Sequence, residues 1–169
     1  MATLLLNQDA DMIERMELDL TEKVQLAYTA AGLTANIHGV FSLDDLENKE
    51  ESDLCGLLAV GVGYAGAEPY TPGNVPANTA PGGSTARMVH FTFHVILAVP
   101  HGRGCLERYS ATKLLTILRR GILGTSCSGD ATNRTWGFVK ESPNISESTE
   151  TMLYYSQVWQ IALPVTRTV

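Results

Sequence analysis

RMVHFTFHVILAVP, residues 87–100, is the clearest β-strand of the chain. Apolar side chains alternate along it with a mixed set, and the apolar members are Val89, Phe91, Phe93, Val95, Leu97 and Val99. A period of two places successive side chains on opposite faces of a sheet. One face is therefore strongly apolar and the other mixed, which predicts a sheet that helices cover on one side.

A helix is predicted before this strand. Apolar residues recur at three- and four-residue steps in an amphipathic stripe: Ile13, Met16, Leu20, Val24, Ala27 and Ala31. Asp9 or Asp11 can cap its start, and Gly32 can cap its end. A second helix is predicted from residue 105 to 118, with two arginines near its C-terminal end and Gly121 or Gly124 after them.

The remaining segments complete one domain, residues 1–169, of the α+β class. A short strand is predicted at 33–40 and a buried, glycine-containing strand at 54–64, where the glycines allow bulges or a close backbone approach. Residues 136–140 and 152–164 should pair as an antiparallel hairpin. The order of elements has no βαβ repetition, so we expect a mostly antiparallel sheet packed against two main helices.

Two segments are candidates for binding a partner. Residues 66–86 contain four prolines and four glycines, and such a long loop is usually functional or disordered. It is either an idle insertion or an arm that orders against a partner through Tyr70, Asn74, Val75, Asn78 and Arg87, with Tyr70 as the aromatic anchor. Residues 44–53 are acidic, and they form either a solvated edge or a contact patch through Asp44, Asp45, Glu47, Glu50 and Glu51.

The candidate metal, nucleotide and catalytic sites all lack the residue spacing that their chemistry needs. His90 and His94 share one side of a strand but are about 13 Å apart at 3.3 Å per residue, which is too far for one zinc ion. The 102–104 Gly-Arg-Gly turn lacks the further glycine of a dinucleotide loop. Cys127 and Ser128 do not match a hydrolase elbow. We therefore expect no enzyme activity, no metal and no cofactor.

Composition limits the partners. The formal net charge is −6, which disfavours a sequence-independent grip on nucleic acid. No run approaches the roughly 20 apolar residues of a membrane helix, and the leucines at positions 4–6 are too few for a signal peptide. We expect a cytosolic chain whose three cysteines, at positions 55, 105 and 127, are reduced and serve as small apolar side chains.

Four segments in the second half of the chain follow one another in a recognisable order: the 88–99 strand, the Gly/Arg turn into the 105–118 helix, the RRGILG segment at 119–124 and the closing strand YYSQVWQI at 154–161. Through them, residues 87–163 resemble the tail-terminator family of contractile-tailed bacteriophages, the Mu-like group in particular. It implies an α+β subunit of a hexameric ring on the head-proximal end of the tail tube. Tube, sheath and neck proteins are the implied partners, DNA passes through the lumen, and no catalytic residue is implied.

A ring needs two different surfaces on each subunit. The glycine-containing strand edge at Gly61 and Gly63, together with the arm, could supply one of them. Deletion of residues 68–84 should then weaken assembly and leave the fold intact. The alternatives are a neck or head-completion ring protein, and a small cytosolic enzyme or ligand-binding domain that uses His90, His94 or Cys127.

Overall fold

The computed structural model describes residues 2–54, 57–69, 86–100, 111–127, 134–143 and 152–166. Its helices are α1 (Ala2–Ala30), α2 (Leu43–Glu47) and α3 (Ala111–Ile122), with short 3₁₀ helices at Thr34–Asn36 and Glu51–Leu54. Its strands are β1 (Ile37–Ser42), β2 (Leu58–Pro69), β3 (Ala86–Pro100), β4 (Gly137–Pro143) and β5 (Met152–Thr166). A mostly antiparallel sheet with helices confirms the α+β prediction.

The five strands form one sheet in the order β1-β2-β3-β5-β4. The predicted 87–100 strand is the central β3, which pairs antiparallel with β2 on one side and with β5 along its whole length on the other. The predicted hairpin of β4 and β5 is also present. Only β1 runs parallel to its neighbour, β2.

Helices α1 and α3 pack together over one face of the sheet, which we call the core face. The apolar stripe predicted for α1 lies there, and all six of its residues belong to or pack against the main core. Phe93 is fully buried and meets the Trp136 ring edge-on, with 5.4 Å between the ring centroids. Full burial of a large apolar side chain stabilises a fold by roughly 1.5–3 kcal/mol, so this layer holds the domain together.

The two ends of α1 differ in how well they were predicted. Gly32 has φ +75°, and the next amide, Leu33 N, donates to Tyr28 O at 3.0 Å, so the C-cap prediction is confirmed. The N-cap prediction at Asp9 or Asp11 is wrong, because α1 already begins at Ala2. Residues 2–8 include one alanine and three leucines, which favour a helix, and they contain no glycine or proline that would end one.

Helix α2 lies on the opposite face, which we call the second face, so the sheet is not covered on one side only. It packs over β2 at Gly61 and Gly63, where an added Cβ would come within 2.8 Å of Leu46 and 2.7 Å of Leu43. This is the close backbone approach that the glycines were predicted to allow. The prediction of a glycine-containing edge is wrong, because β2 lies between β1 and β3 and α2 covers both glycines.

The predicted arm is shorter than residues 66–86. The β2 strand continues to Pro69 and β3 begins at Ala86, with Glu68 opposite His90 and Pro69 opposite Val89. The pairing of β2 with β3 is irregular between Tyr64 and Gly66. Gly66 adopts φ +137°, a conformation that glycine adopts most readily. Residues 70–85 lie outside the described residues.

Other boundaries also moved by a few residues. The predicted strand at 33–40 is β1 at Ile37–Ser42, since a 3₁₀ turn occupies Thr34–Asn36. The predicted 54–64 strand is β2, shifted towards Pro69. Helix α3 runs from Ala111 to Ile122, so it includes Gly121 and ends before Gly124, whose φ is +76°. Residues 101–110 lie outside the described residues.

Candidate partner-binding surfaces

The predicted contact residues fall into two groups. Asp44, Asp45, Glu47 and Glu50 have exposed side chains on and just after α2. Glu51 begins a 3₁₀ helix, and its side chain lies outside the described residues. Arg87 lies in β3 opposite Val165, and only its backbone is described. Tyr70, Asn74, Val75 and Asn78 lie in the part of the chain that the structure does not describe.

Local capping and packing fix the orientation of α2. The Ser42 side chain accepts a hydrogen bond from Asp45 N at 3.1 Å, which caps the helix. Acidic residues occupy the first turn, where the helix dipole stabilises them. Leu46 is buried against Leu54 and the sheet. The acidic side chains are therefore held on the outer side of α2, facing solvent.

Asp53 extends this acidic surface beyond α2. Its side chain is exposed, and its carboxylate accepts a hydrogen bond from Glu50 N at 3.3 Å. We call the set Asp44, Asp45, Glu47, Glu50 and Asp53 the acidic end, because α2 and the residues that follow it lie over β1 and β2. Lys49 is close to this group, and its ammonium lies 4.4 Å from the centre of the Phe41 ring.

A polar strip crosses the part of the second face that α2 leaves uncovered, and the sequence had not predicted it. Gln160 on β5 donates to Thr92 Oγ1 on β3 at 3.0 Å and to Glu68 Oε1 on β2 at 3.2 Å. The even positions of β3, His90 and His94, border this hydrogen-bonded group. Their alternation with the core residues was visible in the sequence, but the partners across the sheet were not.

His94, on the second face, has a perturbed pKa. Partial burial lowers its pKa from 6.5, and the positive charge of Lys140 on β4 lowers it further. Both residues lie opposite Val158 on β5, one from each side. This arrangement favours neutral imidazole at physiological pH. Among the residues that the structure describes, no group of three or more His, Cys, Asp or Glu side chains is placed to hold a metal ion.

Buried polar contacts on the core face join α3 to β4 and β5. Gln157 is fully buried on the core face and donates to Leu115 O of α3 at 3.0 Å and to Glu141 Oε2 of β4 at 2.8 Å. Arg119 of α3 forms an ion pair with the same Glu141, with 3.4 Å between Nε and Oε2. These contacts tie α3 to the edge strand and place Arg119 against β4.

The remaining chemical candidates add no site. Cys127 is buried in the main core, as expected of a thiol that serves as a small apolar side chain. Cys55, Cys105, Ser128 and the 102–104 turn lie outside the described residues. No helix in the described part of the chain is long and apolar enough to cross a membrane.

The comparisons with known proteins give no family. No protein-family model matches the chain, and no curated protein matches it significantly. The function is therefore inferred from the residues and the fold of this chain.

Proposed function

We propose that this chain is a structural protein of a phage virion, a tail terminator that forms a ring on the head-proximal end of the tail tube. In this role it stops tube polymerisation and provides the surface to which the sheath and the neck attach. The proposal follows the resemblance of residues 87–163. The observation that supports it best is the arrangement around β3, where α1 and α3 cover one face and the α3–β4–β5 segment follows in the expected order.

The surface of the second face also suits a protein that works through contacts. It combines exposed carboxylates on α2 with a strip of cross-strand hydrogen bonds, and neither feature is organised around a reacting atom. A net charge of −6 suits a lumen through which DNA passes without adhering, because like charges repel the phosphate backbone.

Electron microscopy of negatively stained samples tests the proposal. The purified chain is imaged alone and with polymerising tube subunits, and tube subunits alone are the control. We expect rings at one end of tubes whose length becomes limited. Rings that ignore tubes, or tubes that grow to the control length, would contradict the terminator function.

A neck or head-completion protein is separated from a terminator by the defect that follows loss of the gene. Loss of a terminator should give overlong tubes, because nothing stops polymerisation. Loss of a neck protein should give free tails of normal length.

The role of the arm is tested by a deletion that leaves β2 and β3 intact. Because Glu68 and Pro69 pair with β3, removal of residues 68–84 would cut into the sheet. Replacement of residues 71–84 by a short glycine-rich linker leaves β2 and β3 intact. We expect this variant to melt like the wild type but to cap tubes poorly, and normal capping would exclude the arm from the interface.

A further inference from the structure

The two outer strands of the sheet carry surfaces of opposite charge. At the β1 side lies the acidic end, with five exposed carboxylates and Lys49 as the one nearby ammonium among the described side chains. At the β4 side, α3 and β4 carry a cationic group, which we call the basic end. Its members are Arg119, Arg120 and Lys140. Glu141, paired with Arg119, is the one carboxylate described among them.

The basic end also exposes apolar side chains. Leu123, just after α3, is 58% exposed, and Val139 in β4 is 47% exposed. Hydrogen bonds connect the two segments, since Gly124 N donates to Trp136 O at 3.0 Å and Trp136 N donates to Thr125 O at 3.0 Å. Exposed apolar residues among charged ones are typical of an interface whose centre is apolar and whose rim is polar.

The acidic and basic ends lie at opposite margins of one sheet. The order β1-β2-β3-β5-β4 separates the outer strands by four strand spacings, which is about 19 Å at roughly 4.8 Å each. Two copies that meet through the same end would bring like charges together. Two copies that meet head to tail bring carboxylates against cations.

We infer that the acidic end of one copy docks on the basic end of the next copy. The inference rests on the proposed ring function, which requires a contact between two different surfaces of the same chain. Charge pairing sets the orientation and speeds the encounter of the two copies. Leu123 and Val139 supply apolar area that the contact removes from water.

The contact is made by side chains rather than by pairing of the two outer strands. The β1 register is irregular between Ile37 and Gly39, and the β4 register is irregular between Phe138 and Lys140. Bulges twist an edge strand away from a flat pairing geometry and protect it from joining another sheet. A contact that depends on exposed charges should weaken as the salt concentration rises.

Charge reversal at each end tests the inference. One variant carries Asp45→Lys, Glu47→Lys and Glu50→Lys, which leaves four cations against two carboxylates at the acidic end, so both of its ends become basic. The other carries Arg120→Glu and Lys140→Glu, so both of its ends become acidic. All five side chains are exposed, and each variant should melt near the wild-type temperature. Each alone should assemble at least roughly tenfold more weakly than the wild type, because attraction becomes repulsion at every contact.

Mixing the two variants gives the decisive measurement. In an alternating ring every contact again joins a basic surface to an acidic one, so an equimolar mixture should assemble where neither variant does. Native mass spectrometry should then show equal numbers of the two chains in each ring. The matched control, Asp11→Lys with Glu14→Lys and Glu22→Lys, changes the net charge as the first variant does but alters exposed positions on α1, and it should assemble like the wild type.

The outcomes separate this inference from the proposed function. Rings that form equally well from each variant alone would overturn the docking inference and leave the ring function standing. Variants that fail alone and also fail together would overturn it as well. Wild-type oligomers that obey the charge-reversal pattern but never sit on tubes would support the docking and refute the terminator function.

Discussion

Gly121 should be the most sensitive point of the contact between α1 and α3. A Cβ added there would lie 2.5 Å from Ala27 Cβ and 3.3 Å from Ala27 Cα. An alanine should gain about 1 kcal/mol in helix propensity, but overpacking of this kind costs about 1–3 kcal/mol. Because part of the obstruction is backbone, the helices must move apart. We therefore expect Gly121→Ala to lower the free energy of unfolding by up to about 2 kcal/mol.

A double-mutant cycle with Ala27→Gly isolates this contact. Ala27→Gly alone should cost about 1 kcal/mol in helix propensity. In the double variant the new methyl group fits into the vacated space, so the coupling energy should be about 1–3 kcal/mol in the stabilising direction. The free energies of unfolding come from urea melts of the four proteins.

The control for this cycle is Gly124→Ala. Nothing lies within 4 Å of a Cβ at Gly124, but its φ is +76°. The substitution should cost about 1–2 kcal/mol through backbone strain, and Ala27→Gly should not relieve that loss. Strictly additive effects of Gly121→Ala and Ala27→Gly would refute the steric argument.

Three further predictions concern the second face and its margins. Gly63→Val should collide with the leucines of α2 and destabilise the fold by about 1–3 kcal/mol, and hydrogen exchange should rise in α2 more than in α1. The His94 pKa measured by NMR should lie below 6.5 and should rise in Lys140→Met. Because the folded state favours neutral His94, the free energy of unfolding should decrease as the pH falls from 6.5 through the folded pKa. Burial raises the Glu17 pKa above 4.5 although Tyr64 N donates to its carboxylate, so stability should fall as the pH rises through that window. In urea melts Glu17→Gln should remove this dependence and be at least as stable at neutral pH, whereas an unchanged pH profile would contradict the assignment.

The predictable parts of the fold are those with strong periodicity. The β3 strand was identified because apolar residues alternate along it without interruption, and the α1 stripe was identified because its apolar residues keep helical spacing for five turns. The start of α1 was misplaced at Asp9 or Asp11, since a capping residue also fits the interior of a helix. A cap is a local signal, and the favourable residues before it outweighed it.

The position of α2 could not be predicted. The glycines at 61 and 63 indicated that something approaches β2 closely, but nothing in the sequence tells which element does so or on which face. The answer depends on tertiary packing of Leu43 and Leu46. The same applies to Gly66, whose irregular backbone lets β2 continue to Pro69 past the point where the alternation of side chains was lost.

The candidate surfaces were predicted in part. The acidic residues of α2 are contiguous in the sequence and were identified as a patch. The basic end was missed because its members are distant in sequence, with Arg120 at the end of α3 and Lys140 in β4. The Gln157 and Glu141 contacts hold α3 against β4 and β5, and no single-sequence pattern contains that register.

The two ends of the sheet are useful to a ring only if the angle between them is fixed, because an error in that angle accumulates at every contact around the ring. The long pairing of β3 with β5 provides one constraint. A buried hydrogen bond from Trp136 Nε1 to Asp19 Oδ2 at 2.8 Å provides another, since it links α1 to the segment that leads into β4. Asp19 also pairs with Lys23, with 3.3 Å between Oδ1 and Nζ, so both oxygens of its carboxylate have a partner and its orientation is defined. Buried polar contacts specify one arrangement where apolar packing alone tolerates several. The core of this domain is therefore built to hold its two charged ends in a constant relation, which is the property that the proposed assembly requires of each subunit.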